Sequence, residues 1–86
     1  MRTINVEYSP TALKQIKKLP KAKQAKFLKT IDRLKNDPYA GKKLKGEFEG
    51  LRSLRVWPYR IIYRHLPQDK LLYVNVVQHR QEVYKR

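Results

Sequence analysis

The pattern of apolar and polar residues changes its period early in the chain. Over Thr3 to Tyr8 apolar side chains alternate with polar ones, which predicts a strand. Ser9 and Pro10 follow as a typical helix start, with the serine as N-cap and the proline at the first helical position. Apolar residues then recur at helical spacing up to Leu19-Pro20, where the proline interrupts the helix because it has no amide hydrogen to donate.

A second, longer helix is predicted from about Lys21 to Lys35. Its apolar side chains recur every three residues, and lysines occupy most of the other positions. The segment Asn36-Asp37-Pro38 ends this helix. Because the break between the two helices is very short, we expect them to form a hairpin.

Three strand-like segments follow in the second half of the chain. Tyr39 to Gly50 is predicted to be a loop, since it contains all of the glycines. Strands are expected over about Leu51 to Trp57, Tyr59 to His65 and Lys70 to His79. The short connections between them favour an antiparallel meander. The order βααβββ therefore predicts one α+β domain over residues 1–86, with the helices packed on one face of the sheet.

Alternation along the strands predicts which side chains the helices cover. The apolar set should lie beneath the helices: Leu54, Val56, Ile61, Tyr63, Val74 and Val76. The opposite face should carry cations, aromatic rings and polar groups: Arg55, Trp57, Arg60, Arg64, Tyr73, Asn75 and His79. Such a surface is suited to RNA, because guanidinium groups hold phosphates and rings stack on bases.

The charge of the chain indicates a polyanionic partner. With 21 Lys plus Arg against 7 Asp plus Glu, the formal net charge is +14, which attracts nucleic acids, acidic proteins and anionic membranes. A membrane is disfavoured, because the sequence has neither an anchor nor a basic helix with a bulky apolar face. The first residues lack the apolar region of a signal peptide, so we expect a cytoplasmic protein.

Ordinary structural explanations stay open for several of these residues. Lysines along a helix are usually solvated. Trp57 beside Pro58 closes a turn as readily as it stacks on a base, and His65 fits a plain surface position. Arg55 and Arg60 are harder to explain in this way, because each lies inside a strand and few acids exist to pair with them.

A recognisable pattern runs from Gly50 to Arg64. It contains Leu54-Arg55-Val56 and Tyr59-Arg60-Ile61-Ile62-Tyr63, preceded by Leu44-Lys45-Gly46 and followed by His79-Arg80-x-Glu82-Val83-Tyr84. Together with the helical hairpin, this order resembles the RelE/ParE superfamily of bacterial and archaeal type II toxins along nearly the whole chain. The resemblance implies a RelE-like fold with a microbial-RNase-type sheet and cleavage of mRNA in the ribosomal A site. It also implies a cognate antitoxin, usually acidic, that wraps the toxin and blocks it.

The resemblance further implies roles for individual residues. By position, Arg60 matches the family's transition-state arginine, Arg80 its phosphate-binding arginine, and Tyr84 its catalytic or base-stacking tyrosine. Arg55 falls on one of two basic positions in the preceding strand. Ser53 stands at the other one, so that position lacks its cation.

Cleavage by the 2′-hydroxyl needs a base, an acid, cations on the phosphorane and in-line geometry. His79 is the obvious titrating group, and Tyr84 and Glu82 are the alternatives for the base. The sequence has no cysteine, no two-histidine metal spacing and no carboxylate cluster, so the expected nuclease is metal-independent and uses no cofactor. Contacts to RNA and to the ribosome are expected from a basic and aromatic set: Lys43, Lys45, Arg52, Trp57 and Arg64.

Two other functions fit the same resemblance. The ParE branch shares the fold but poisons DNA gyrase by binding, without nuclease chemistry. The C-terminal group of His79, Arg80 and Tyr84 favours the nuclease over that branch. A relative that has lost its activity would bind only its antitoxin or RNA. In each case we expect the toxin as a monomer or as a hetero-oligomer with its antitoxin.

Overall fold

The order of elements in the computed structural model, which describes residues 4–79, confirms the predicted α+β fold. The elements are β1 (Asn5–Tyr8), α1 (Pro10–Lys17), α2 (Lys21–Asn36), β2 (Lys42–Lys43), β3 (Arg52–Val56), β4 (Tyr59–Leu66) and β5 (Leu71–His79), with 3₁₀ turns at Gly46–Phe48 and Pro67–Asp69. β2 is an addition to the prediction, because it lies inside the expected loop. It pairs with β3 through Lys43 and Arg52.

The strands form a mixed sheet in the order β1-β5-β4-β3-β2. β3, β4 and β5 run antiparallel to one another, as their short connections predict. β1 lies parallel to β5, with Asn5 opposite Leu71. Parallel strands need a long connection, and here the helical hairpin and the other strands separate the two in sequence.

The helical hairpin begins as the sequence predicts. Ser9 caps α1, and its Oγ accepts a hydrogen bond of 3.0 Å from the amide of Ala12. Pro10 lies in the first turn, where its missing amide hydrogen has no intrahelical partner to lose. At the break between the helices, Nε2 of Gln24 donates to the carbonyl of Leu19 at 2.9 Å. No helix in the described part of the chain is long and apolar enough to cross a membrane.

The helices bury the apolar face of the sheet. α1 packs on β5 and β1, and α2 reaches β3. The core between them contains Ala12, Leu19, Phe27, Ile31, Leu34, Val56, Ile61, Tyr63, Leu72, Val74 and Val77, and Leu54 packs against it. The set predicted from alternation is therefore confirmed except at Val76.

An extra residue in β5 moves the last part of that strand by one position. Ile62 of β4 lies opposite Val76, but the next residue of β4 lies opposite Val74, so Asn75 forms a bulge. A bulge reverses the alternation beyond it, and Val77 therefore points into the core, where it is 4% exposed. The prediction that Val76 lies beneath the helices is wrong for this reason.

Helix α1 and its cap hold this bulge in place. The amide of Ser9 donates to the carbonyl of Val74 at 3.0 Å, and its Oγ donates to the carbonyl of Asn75 at 2.6 Å. Oε1 of Gln15 accepts a 2.7 Å hydrogen bond from the amide of Val77. β1 ends just before these contacts, so α1 supplies polar partners to the edge of β5 that β1 leaves unpaired. Among residues 4–79, Oδ1 of Asn75 is buried without a hydrogen-bond partner.

Tyr63 fastens the loop that follows α2. Its side chain is fully buried, and Oη donates to the carbonyl of Pro38 at 2.7 Å while it accepts from the amide of Gly41 at 2.9 Å. A Cβ at Gly41 would lie 2.5 Å from this Oη, so glycine is needed for the close approach. Burial is the main cause that raises the pKa of Tyr63, and the hydroxyl therefore stays protonated as a donor.

Replacing Tyr63 with phenylalanine should destabilise the protein by about 1–3 kcal/mol. The change keeps the buried ring but leaves the Pro38 carbonyl and the Gly41 amide without their partner. Urea denaturation of the wild type and the variant measures the difference. Tyr73→Phe is the matched control, because Tyr73 is only half-buried, and it should stay within about 0.5 kcal/mol of the wild type. Equal stability of all three proteins would contradict the anchoring role of Tyr63.

Candidate nucleic-acid interface

The face of the sheet that points away from the helices carries a row of arginines. Because Ile61 points into the core, its neighbours Arg60 and Ile62 point to the opposite face. Arg55 lies directly opposite Arg60, and Gln78 flanks Arg60 on its other side. We call this surface the arginine face: Arg55, Arg60, Ile62, Arg64, Tyr73 and Gln78. The predicted placement of its arginines and of Tyr73 is confirmed.

The central strands carry no acid that could offset the charge of the Arg55–Arg60 pair. β3, β4 and β5 contain four arginines and no Asp or Glu. Two like charges directly opposite each other destabilise a sheet, so this placement of the two arginines disfavours the fold slightly. Arg55 is exposed and Arg60 is half-buried. Two cations placed together without a nearby acid attract anions.

The surface beside the arginine pair has little polarity. Ile62 is 6% exposed although it points away from the helices, and Ser53, directly opposite, is 9% exposed. Ser53 stands where the toxin resemblance implies a second cation, and the structure places a small buried hydroxyl there. Buried groups beside the two arginines reduce solvent screening there, which would strengthen the attraction for a phosphate.

His79 lies on the other side of the sheet from Arg60. It is opposite Tyr59, and the two rings meet edge to face with their centroids 5.2 Å apart. The cause is the bulge, because it reverses the alternation through the last residues of β5. The prediction that His79 and Asn75 line the same face as Arg60 is therefore wrong for His79, while Asn75 forms the bulge itself.

One more predicted site residue, Trp57, lies at this end of the sheet. Trp57 occupies the turn between β3 and β4, close to the arginine pair, and is 50% exposed. Its indole is therefore accessible to a base, and stacking on RNA stays a prediction. Arg80 and Tyr84, predicted as catalytic, and Glu82, a candidate base, lie outside the described residues.

Arg52 lies on the helix side of the sheet and is bound to the loop after α2. Its Nη1 donates to the carbonyl of Gly41 at 2.8 Å and to that of Tyr39 at 3.5 Å. The guanidinium carbon also lies 4.9 Å from the centroid of the Tyr39 ring, a cation–π contact. Arg52 and Arg55 are three residues apart on β3, so their side chains leave opposite faces, about 10 Å apart along the strand.

A cleft of about 650 Å³ lies between this loop and the end of β4. Its charged and aromatic lining consists of Tyr39, Lys43, Lys45, Glu49, Arg52 and His65. His65 stands edge-on to Tyr39, with ring centroids 4.9 Å apart. Burial and the nearby Arg52 guanidinium lower the pKa of His65. The sequence pattern indicated a plain surface position for His65 and did not predict this cleft. The residues that line the cleft come from segments that are far apart in the chain.

The predicted RNA contacts thus divide into two groups. The arginine pair lies at one end of the sheet, with Trp57 beside it. Lys43, Lys45 and Arg52 line the cleft near the other end. Arg64 lies on the arginine face, opposite Tyr73. Within residues 4–79, no group of three or more His, Asp or Glu is placed to hold a metal ion.

Comparisons with known proteins identify this arrangement of strands and helices. A chain of the RelBE2 toxin–antitoxin complex from Mycobacterium tuberculosis is similar, with 28% identity, a TM-score of 0.82, and coverage of 90% of this chain and 98% of that one. A chain of the archaeal RelE–RelB complex from Pyrococcus horikoshii gives 26% identity and a TM-score of 0.75, covering 91% and 96%. The class is that of small toxins from type II toxin–antitoxin systems.

Sequence comparisons lead to the same class. The family model of the ParE toxin of type II toxin–antitoxin systems (parDE) matches residues 6–84. A curated relative from Methanocaldococcus jannaschii, named "Putative toxin RelE1", is 33% identical and covers 94% of each chain. The chain belongs to the RelE/ParE superfamily of type II toxins.

Replacing Arg55 with glutamine should stabilise the protein by about 0.2–1 kcal/mol, because it removes one of two opposed like charges. Thermal melting at low ionic strength measures this gain, and high salt should reduce it by screening the repulsion. Arg52→Gln on the same strand is the matched control. It should destabilise the protein, since Arg52 donates to the Gly41 carbonyl. A loss of stability with Arg55→Gln would contradict the view that these two opposed charges disfavour the fold.

Proposed function

We propose that this toxin is a metal-independent endoribonuclease that cleaves mRNA, acting in the ribosomal A site and so inhibiting translation. The observation that carries the proposal is the Arg55–Arg60 pair, two arginines at directly opposed positions on strands without a carboxylate. The relative that bears the RelE name, at 33% identity over nearly the whole chain, supports the nuclease branch of the superfamily.

The arginine pair suits the transition state of RNA cleavage by the neighbouring 2′-hydroxyl. The 2′-oxygen loses its proton to a base and attacks phosphorus, the bond to the 5′-oxygen breaks, and that oxygen takes up a proton. The products are a 2′,3′-cyclic phosphate and a 5′-hydroxyl. Charge develops on the non-bridging oxygens of the phosphorane, where preorganised cations stabilise it. Arg55 and Arg60 would supply these cations, and Arg80 would add a third by its position in the motif.

His79 is not the residue that we propose as the base for the 2′-hydroxyl. The His79 ring contacts Tyr59 on the helix side of the sheet, so the sheet separates it from a phosphate held on the arginine face. Tyr84 and Glu82 are the other candidates. We favour Tyr84, because neighbouring arginines would lower the pKa of a phenol towards the working pH, whereas the same cations make a carboxylate a weaker base.

The partners follow from the net charge and from the relatives. The similar chains from M. tuberculosis and P. horikoshii come from toxin–antitoxin complexes, and we propose that a cognate antitoxin with an acidic binding segment covers this toxin as well. The charge of +14 would also attract the toxin to ribosomal RNA. Such attraction falls steeply with salt, because it depends on the release of counterions.

Replacing Arg60 with alanine should lower the rate of mRNA cleavage by about 10²–10³, as the loss of one preorganised charge-stabilising group does in other enzymes. A purified translation system with a defined mRNA measures this, with 5′ ends mapped after brief incubation. Arg33→Ala removes the same charge from an exposed position on α2. This control should change the rate by less than about twofold.

The same assay can refute the nuclease proposal. Absence of any cleavage by the wild type above the level of an Arg60→Ala/Arg80→Ala double variant would exclude it. Thermal melting of each variant shows whether a lost activity comes from unfolding. Because Arg60 and Arg33 lie outside the core, we expect Arg60→Ala and Arg33→Ala to stay folded.

Replacing His79 with glutamine should lower cleavage by less than about tenfold, far below the effect expected for a general base. The reason is its place on the helix side, against Tyr59. The pH dependence of cleavage provides a second measurement, since the general base of a reaction helps to set its pH profile. An unchanged pH profile in His79→Gln is expected, and a profile that this substitution alters would return His79 to the base role.

A second function is retained because the matching family model is that of the ParE toxin. In the ParE branch the toxin binds DNA gyrase and poisons it, and the arginine face would then contact DNA or the enzyme. A supercoiling assay with added toxin tests this. Strong inhibition of gyrase, together with intact mRNA in the translation assay, would replace the nuclease proposal.

A further inference from the structure

The cleft beside Tyr39 has the size of a small-ligand site. Its volume is about 650 Å³, and pockets that bind small molecules usually enclose roughly 300–1,000 Å³. Its Arg52 and His65 lie on the helix side of the sheet, whereas the arginine pair lies on the other face and about 10 Å further along β3. One phosphate therefore cannot contact both places.

Arg52 is already held in position at this cleft. Its Nη1 donates to the carbonyls of Gly41 and Tyr39, and its guanidinium lies over the Tyr39 ring. The Nη2 and Nε hydrogens have no hydrogen-bond partner within residues 4–79. A guanidinium presents its donors in a rigid fork that matches a phosphate. A side chain that is fixed beforehand loses little conformational freedom when it binds an anion.

Tyr39 offers an aromatic surface next to this fork. Its side chain is 58% exposed, with Arg52 over the ring and His65 at its edge. A ring that is fixed by two neighbours and still largely exposed is suited to stack on a nucleic-acid base. An acidic peptide would use the cations of the cleft but not this ring.

The charge of the cleft favours an anion. Lys43 and Lys45 add two cations to Arg52, and Glu49 is the acid among the described lining residues. His65 adds no charge near neutral pH, since its pKa is lowered from an ordinary value of about 6.5. The lining is therefore net positive.

From these contacts we propose that the cleft binds a nucleotide, with its base on Tyr39 and its phosphate on Arg52 and Lys43. This site is separate from the arginine face, and it does not depend on the proposed nuclease activity. A free nucleotide and a segment of single-stranded RNA share the required chemistry, because each presents a base with an adjoining phosphate.

Nuclear magnetic resonance of the isotope-labelled toxin tests the proposal with three probes: AMP, inorganic phosphate, and a hexamer of 2′-O-methyl RNA, which has no 2′-hydroxyl to attack its own phosphates. We expect AMP to shift the ring signals of Tyr39 and His65 and to leave those of Tyr59 and His79 unchanged. Phosphate alone should produce smaller shifts, because it has no base to stack. The rings at the other end of the sheet thus serve as an internal control.

Matched variants measure the contribution of the ring. Tyr39→Ala should weaken the binding of AMP about tenfold, and Tyr39→Phe at most about twofold, because phenylalanine keeps the stacking surface. Phe48→Ala removes another exposed ring from the neighbouring 3₁₀ turn, outside the cleft lining, and should leave the affinity unchanged. Arg52→Lys should also weaken binding, since lysine keeps the charge without the fork. Melting curves confirm that each variant is folded.

The outcomes separate the possible ligands. Equal affinity for AMP and the hexamer would assign free nucleotides to the cleft. Tighter binding of the hexamer, lost in Tyr39→Ala, would assign single-stranded RNA. Both results support the proposal. Identical shifts with phosphate and AMP would overturn it, and so would wild-type affinity for AMP in Tyr39→Ala. If that variant instead loses affinity only for the antitoxin, the cleft is a peptide site and the proposal is wrong.

Discussion

The bulge at Asn75 determines what each face of the sheet contains. Beyond it, Val77 and His79 point to the helix side instead of the arginine face. Ser9 and Gln15 hydrogen-bond to the backbone around the extra residue, so the helix and the bulge fix each other. Without the bulge, a histidine would stand beside the arginine pair. With it, the arginine face contains no histidine among the described residues, and charge stabilisation there depends on guanidinium groups.

The arginine pair adds a small unfavourable contribution to the stability of this fold. Arg55 and Arg60 lie opposite each other, and the three central strands have no acid to pair with them. The core beneath the helices and the Tyr63 anchor stabilise a fold that carries two like charges on neighbouring strands. Any anion bound at the pair relieves the repulsion and stabilises the folded state by mass action. In the proposed function RNA and an acidic antitoxin would both be attracted to these two positive charges.

Local patterns in the sequence predicted the structural features that depend on residues close together in the chain. The two-residue period placed Arg55 and Arg60 on one face, and the structure confirms it. The bulge was beyond such patterns, because Asn75 is a polar residue at a position where alternation already expects one. The contact of Tyr39 with His65 was also beyond them, since it arises when a loop closes over a distant strand. β2 carries no strand pattern of its own and forms because β3 has an edge to pair with.

Arg52 and Arg55 show that the cations behind the net charge of +14 have different surroundings. The period of a strand sends these two side chains to opposite faces only three residues apart. Arg52 is tied to the Gly41 carbonyl and the Tyr39 ring, which fixes it and leaves part of its fork available. Arg55 faces another arginine and has no such tie among residues 4–79. A phosphate bound at Arg52 would contact a fixed guanidinium beside an aromatic ring. A phosphate bound at Arg55 would instead reduce the repulsion between two arginines. Two like cations on one strand are therefore suited to different tasks.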